Sequence, residues 1–170
     1  MRRGAPRAAA LSLLLALLAG WAGLPFGRRA PPLRITEVVD EGDAARRASQ
    51  RLVLDGLDAD ERGDVERARG SYDRALQVDP TNPYAYLALA RHRVEGTTPQ
   101  DALPFLDQTE SLLGVEGGIP PRLEAHLAGL RGEALYATGR VREAIPLLEK
   151  ARKLAPSVWS DGHLSPEELE

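Results

Sequence analysis

The chain has 170 residues, a formal net charge of −3 and no cysteine. It is long enough for one domain, and it has no disulfide framework, no lipid-modified amino-terminal Cys and no Cys-based zinc set. Charge is unevenly placed: all 25 acidic residues, but only 17 of the 22 Lys and Arg, follow residue 30, a net of −8 for that part. A surface of that sign repels phosphate backbones, which need a basic face for counterion release, and argues against nucleic acid as a partner.

In chain order, the first feature is an uncharged apolar run from Ala8 to Phe26, with Arg2, Arg3 and Arg7 before it and Arg28 and Arg29 behind it. Its Ala8 to Ala19 core has signal-peptide length, and Gly20-Trp21-Ala22 offers a small-x-small cleavage pattern. Counted to Phe26 the run has 19 residues, within the ~17–25 that span a bilayer. Both readings stay open: residues 1–30 are a signal peptide cleaved near Ala22, leaving a periplasmic protein, or an uncleaved anchor holding residues 8–26 in the inner membrane. The flanking Arg residues favour an inside amino terminus and an exported remainder. Residues 31–42 have Pro, charge and no helical period, and read as a linker; Leu33 to Val39 could form a short strand, with nothing later in the chain to receive it.

From Asp43 the apolar spacing turns helical, and it predicts helices near 43–62, 64–78, 83–95, 99–113, 120–138 and 140–154. They form antiparallel pairs in an all-α domain over 43–156. Gly114 to Pro121 is a loop, and residues 157–170 are a carboxyl-terminal tail too short to add a full capping helix. Leu147, Leu148, Ala151 and Leu154 are therefore expected to leave a partly exposed apolar strip, with Val158 and Trp159 as an incomplete lid, and such strips commonly mark association sites.

The helices repeat. Residues 61–80 return loosely at 138–156, with a weaker copy at 97–114; Ala68 and Ala102 are 34 positions apart, as are Pro80 and Gly114. In the first copy Leu52, Gly56, Gly63, Ala68, Tyr72, Ala75 and Pro80 carry the pattern. Tyr86, Leu89, Ala90, Ala102 and Leu106 carry it in the second, and Gly132, Leu135, Gly139, Ala144, Leu148, Ala151 and Pro156 in the third. Small residues at these places let helix backbones approach closely, while Leu and Tyr fill the grooves beside them. On these residues and a period of ~34, residues 50–156 resemble the tetratricopeptide repeat (TPR) family in three copies. Asp55 and Arg131 stand where Leu is usual, Thr109 replaces a late Ala, and eight extra residues separate copies two and three.

The resemblance implies a right-handed superhelix of about three antiparallel helix pairs whose first helices line a concave groove. By register that groove takes Gln50, Val53, Leu57 and Asp60, then Tyr84, Leu87, Arg91 and Val94, then His126, Gly129, Glu133 and Tyr136. Tyr and aliphatic anchors among a few charges suit a protein or peptide partner. Val53 and Leu57 occupy the places of the Lys and Asn clamp with which one subtype grips a peptide carboxylate, so that ligand is not expected.

Other chemistry is poorly represented. The run from Asp58 to Asp64 begins like a calcium loop, but the fifth and twelfth places hold Arg62 and Arg69 where oxygen ligands are needed. His92, His126 and His163 are too scattered for a ligand pair. No metal, cofactor or enzymatic activity is expected. The reading is a protein-interaction adaptor or assembly factor of a bacterial envelope, with an accessory or regulatory subunit of an envelope enzyme, or a self-associating, homo-oligomeric scaffold, as alternatives.

Overall fold

The computed structural model describes residues 31–170; the apolar run expected to be a signal or anchor lies outside the described residues. The described part is all-α: α1 (Ala44–Glu61), α2 (Val65–Val78), α3 (Pro83–Val94), α4 (Ala102–Glu116), α5 (Glu124–Ala137), α6 (Val141–Leu154) and a single turn, α7 (Pro166–Leu169). Short 3₁₀ turns lie at Ile35–Glu37 and Pro99–Asp101. Among the described residues there is no strand, and no helix is long and apolar enough to cross a membrane.

Local chemistry explains where the helices begin and end. The side chains of Asp43, Asp64 and Asn82 accept the backbone N–H of Arg46, Arg67 and Tyr84, capping α1, α2 and α3, and Pro83 supplies a first helical residue whose missing N–H costs nothing. Gly63 and Gly139 end α1 and α5 with φ of 74° and 79°, a left-handed conformation that residues with a Cβ adopt at a cost. In both turns the next residue's N–H reaches five back, Asp64 to Ala59 and Arg140 to Leu135, satisfying carbonyls the helix leaves open. α4 runs three residues further than the apolar spacing predicts, through Gly114 to Glu116, and α5 starts later, at Glu124.

The six longer helices pack as three antiparallel hairpins, α1 with α2, α3 with α4 and α5 with α6, and α3 also touches α1 and α5. The first helix of each hairpin therefore lies in one row. Within hairpins the small residues meet large ones at matching places. A Cβ added at Gly56 would fall closer than 3.0 Å to the Tyr72 ring, and one at Gly132 would lie 2.8 Å from Leu148 Cγ. Ala90 and Leu106, at the same spacing in the middle hairpin, are both fully buried. Ala68, Ala102 and Ala144 are also fully buried.

Both ends of the described chain differ from their expectations. The stretch expected to be a linker packs on the helices, with Leu33, Ile35 and Val38 in the core. Leu33 N–H donates to the Arg122 carbonyl at 3.1 Å, and Thr36 N–H to that of Glu170 at 2.8 Å. The guanidinium of Arg122 reinforces this by pairing with Glu37 and donating to the carbonyls of Pro31 and Pro32. The lid expected over the last hairpin is also placed differently. Trp159 is fully buried against α5 where Gly129 leaves bare backbone, and Leu164 and Leu169 are buried beyond it. Ala151 is buried too, whereas Leu147, Leu148 and Leu154 are half-buried. The physical reason is size: a Cβ at residue 129 would fall closer than 3.0 Å to three carbons of the indole, so only Gly admits Trp159 there.

Candidate interaction face

The row of α1, α3 and α5 presents one face on which the groove residues fall together at helical spacing. On α1, Gln50, Val53 and Leu57 are buried, and the Asp60 side chain is 5% exposed. On α3, Tyr84, Leu87 and Arg91 are buried and Val94 is half-buried. On α5, His126 and Gly129 are buried, Glu133 is 14% exposed, and Tyr136 alone stands out at 58%.

This face is covered by the chain itself. Residues 157–170 leave α6 and run back across the row: Trp159 sits on α5, the Leu164 carbonyl accepts from Arg91 Nε on α3 at 3.0 Å, and α7 packs on α1. A capping box at Ser165 and Glu168 shapes the last turn. The 31–42 stretch closes the other side, where Arg34 donates to the Glu167 carbonyl at 2.6 Å.

Under the tail lies a chain of charges. Asp60 Oδ2 accepts from Tyr72 OH at 2.8 Å and from Arg91 Nη1 at 2.9 Å, and Asp60 Oδ1 is 2.8 Å from His92 Nδ1. Arg91 Nη2 continues to Glu95 at 2.5 Å. Glu95 Oε1 lies 2.9 Å from His163 Nε2, and His163 Nδ1 is 2.9 Å from Glu133 Oε1. Burial, reinforced by the Asp60 charge, raises the Tyr72 hydroxyl above its ordinary range, which keeps it a donor. Burial also raises the Glu133 carboxyl to about 7, against the opposing pull of His163. His126 is displaced the other way, to about 4, because burial penalises its charge more than its bond to the Leu33 carbonyl supports it.

The tail fits its seat imperfectly. Among the described residues five buried side-chain atoms lack a hydrogen-bond partner, and four of them, Gln50 Oε1, His126 Nδ1, Glu133 Oε2 and Trp159 Nε1, belong to this face or its cover. Each such atom costs ~1–3 kcal/mol. A cavity of about 470 Å³ also stays open at the α5–α6 end, lined by Val94, Glu133, Tyr136, Leu148, Arg152 and Gly162.

Among the described residues no group of three or more His, Cys, Asp or Glu could hold a metal ion. In the Asp58 to Asp64 run, Asp58 pairs with Arg62, Asp60 turns inward and Asp64 caps α2. The occupants Trp159, Leu164 and Leu169 were missed as members of this site. Their signal was a large apolar residue every fifth position in a mostly polar tail, and Gly129 in a row of larger groove residues.

Compared with known proteins, the chain matches no family model, no curated protein and no solved structure.

Proposed function

We propose that the chain is an exported, membrane-tethered protein-interaction module of TPR-like architecture, an adaptor or assembly factor of a bacterial envelope, whose groove is the face formed by α1, α3 and α5. The observation that carries this reading is the tail itself. Residues 157–170 lie on the face as a bound peptide would, with Trp159, Leu164 and Leu169 buried as anchors and the Leu164 carbonyl held by Arg91. A face that takes one such segment suits another, and the unpartnered polar atoms, three on the face and Trp159 Nε1 on the tail, favour exchange. The partner is then an extended peptide segment with aromatic and aliphatic anchors that displaces the tail. Export rests on the uncharged run between Arg clusters, and a reporter fused after Glu170 should be active only if it functions outside the cytoplasm.

The test is site-directed photocrosslinking in intact cells from position 94 or 136, at the open end of the face, with position 78 on α2 as an outer-surface control. Capture of the same protein from both inner positions, suppressed by a synthetic peptide of residues 157–170 in permeabilised cells, supports the reading. Capture from position 78 alone, or capture that the peptide leaves unchanged, refutes the groove as the docking surface.

A further inference from the structure

The tail is pinned at one titratable point. His163 is half-exposed, and both of its ring nitrogens face carboxylates, Nε2 that of Glu95 at the end of α3 and Nδ1 that of Glu133 on α5, each at 2.9 Å. A neutral imidazole has a single N–H, so it satisfies one of these contacts and turns a lone pair on the other; only imidazolium donates to both. We propose that His163 is a proton-controlled latch, holding residues 157–170 on the α1–α3–α5 face while it is charged and freeing them when it loses its proton, so that pH gates access to the face. This rests on reading the face as an interaction surface.

The surrounding charges make the latch specific to a cation at residue 163. From α3, Arg91 pairs with Glu95 and with Asp60 of α1 and donates to the carbonyl of Leu164, the residue next to the latch. From the tail, Asp161 accepts the His163 backbone N–H at 3.0 Å. From α6, Arg152 reaches Gly162 and Glu149 shares the adjoining cavity with Asp161. Arg91 is already committed to Asp60 and Glu95, and Glu133 keeps one buried oxygen without a partner among the described residues. With His163 neutral, Glu95 and Glu133 share an imidazole that carries no charge between them. Closure then requires Glu133 to take up a proton instead.

Both titrations act in one direction. Burial alone would lower His163, but its hydrogen bond to Glu133 and the charges of Glu133 and Glu95 outweigh this and raise it above 6.5. A raised folded-state value means a contribution to closure that is complete below pH 6.5 and lost as pH rises through the closed-state value. Glu133, raised by burial from 4.5 to about 7, likewise favours closure at lower pH: its cost to the closed state sets in above 4.5 and is complete by about 7. The latch is therefore shut in mildly acidic surroundings and released from neutral pH upward.

The experiment uses the full chain carrying Trp21→Phe, so that Trp159 is the only indole, and follows its emission and acrylamide quenching from about pH 5.5 to 8.5, with circular dichroism to confirm that the helices persist. Quenching should rise with pH, the open-to-closed ratio changing up to ~10-fold per pH unit for each proton released. His163→Arg, charged throughout, should stay shielded across the range. His163→Gln, neutral throughout, should be more open at pH 5.5 and keep only the part of the pH response that Glu133 supplies. A Trp159 shielded equally at both ends of the range in the wild-type chain, or a His163→Gln variant that keeps the wild-type response, overturns the latch. No partner is present in this measurement, so its failure leaves the crosslinking test of the face standing, and the reverse also holds.

Discussion

Gly129→Ala isolates the seating of the tail. The added Cβ would fall closer than 3.0 Å to three carbons of the Trp159 indole, with no other side chain among its nearest neighbours. Two effects oppose each other. Ala in place of Gly inside α5 gains ~0.8–1 kcal/mol of helix propensity. Overpacking costs ~1–3 kcal/mol if the indole shifts within its seat. Expelling it altogether forfeits the burial of ~150–250 Å², which at ~25 cal/mol per Å² is ~4–6 kcal/mol as an upper bound. The chain takes the cheaper course, so melting should fall by the equivalent of ~0–2 kcal/mol while Trp159 moves toward solvent. In the Trp21→Phe background, redder emission and faster acrylamide quenching with unchanged helical dichroism is the expected result. Unshifted emission together with a melting temperature raised by the full helix gain would show that Trp159 does not rest on bare backbone at residue 129, and the self-covered face would have to be abandoned.

Three further outcomes test the interior. Replacing Ala68, Ala102 or Ala144 by Leu should cost ~1–3 kcal/mol at each fully buried helix crossing, read as a lower urea midpoint; three unchanged midpoints contradict the repeat register. Arg91→Ala removes the ion-pair partner of a 5%-exposed Asp60 and should cost toward the lower end of ~3–5 kcal/mol, since Tyr72 and His92 still contact the carboxylate; Arg91→Ala paired with Asp60→Asn should recover part of it, and no recovery would show that charge is not what couples them. His126 titrates near 4 when folded against 6.5 when exposed. Its contribution is therefore present above pH 6.5 and is lost as pH falls, amounting to roughly 3 kcal/mol for the ~2.5-unit difference. His126→Gln should flatten thermal stability between pH 6.5 and 4, and an acid limb identical to wild type would exclude the imidazole as its source.

The sequence by itself determined what depends on near neighbours. Apolar residues three and four apart from Asp43 onward, with Gly63 and Gly139 between hairpin partners, set the bounds of the six longer helices to within a few residues. Small residues at 56, 90 and 132 marked where hairpin partners meet, because a Gly or Ala there matters only if another helix is close. The tertiary structure alone decided what depends on meetings between distant residues: Thr36 with Glu170, Leu33 with Arg122, Arg91 with Leu164. Residues 31–42 and 157–170 lack a helical period, so nothing local distinguishes a linker from a brace, or a cap on the last hairpin from a cover for the inner face. Gly129 decided that choice, since an indole settles where backbone is bare, and the place becomes visible only once α5 stands in its row. The same holds for Asp60, which a linear reading groups with the acidic residues beside it, whereas folding turns it inward to Arg91, His92 and Tyr72, where low polarity makes partnered charge obligatory.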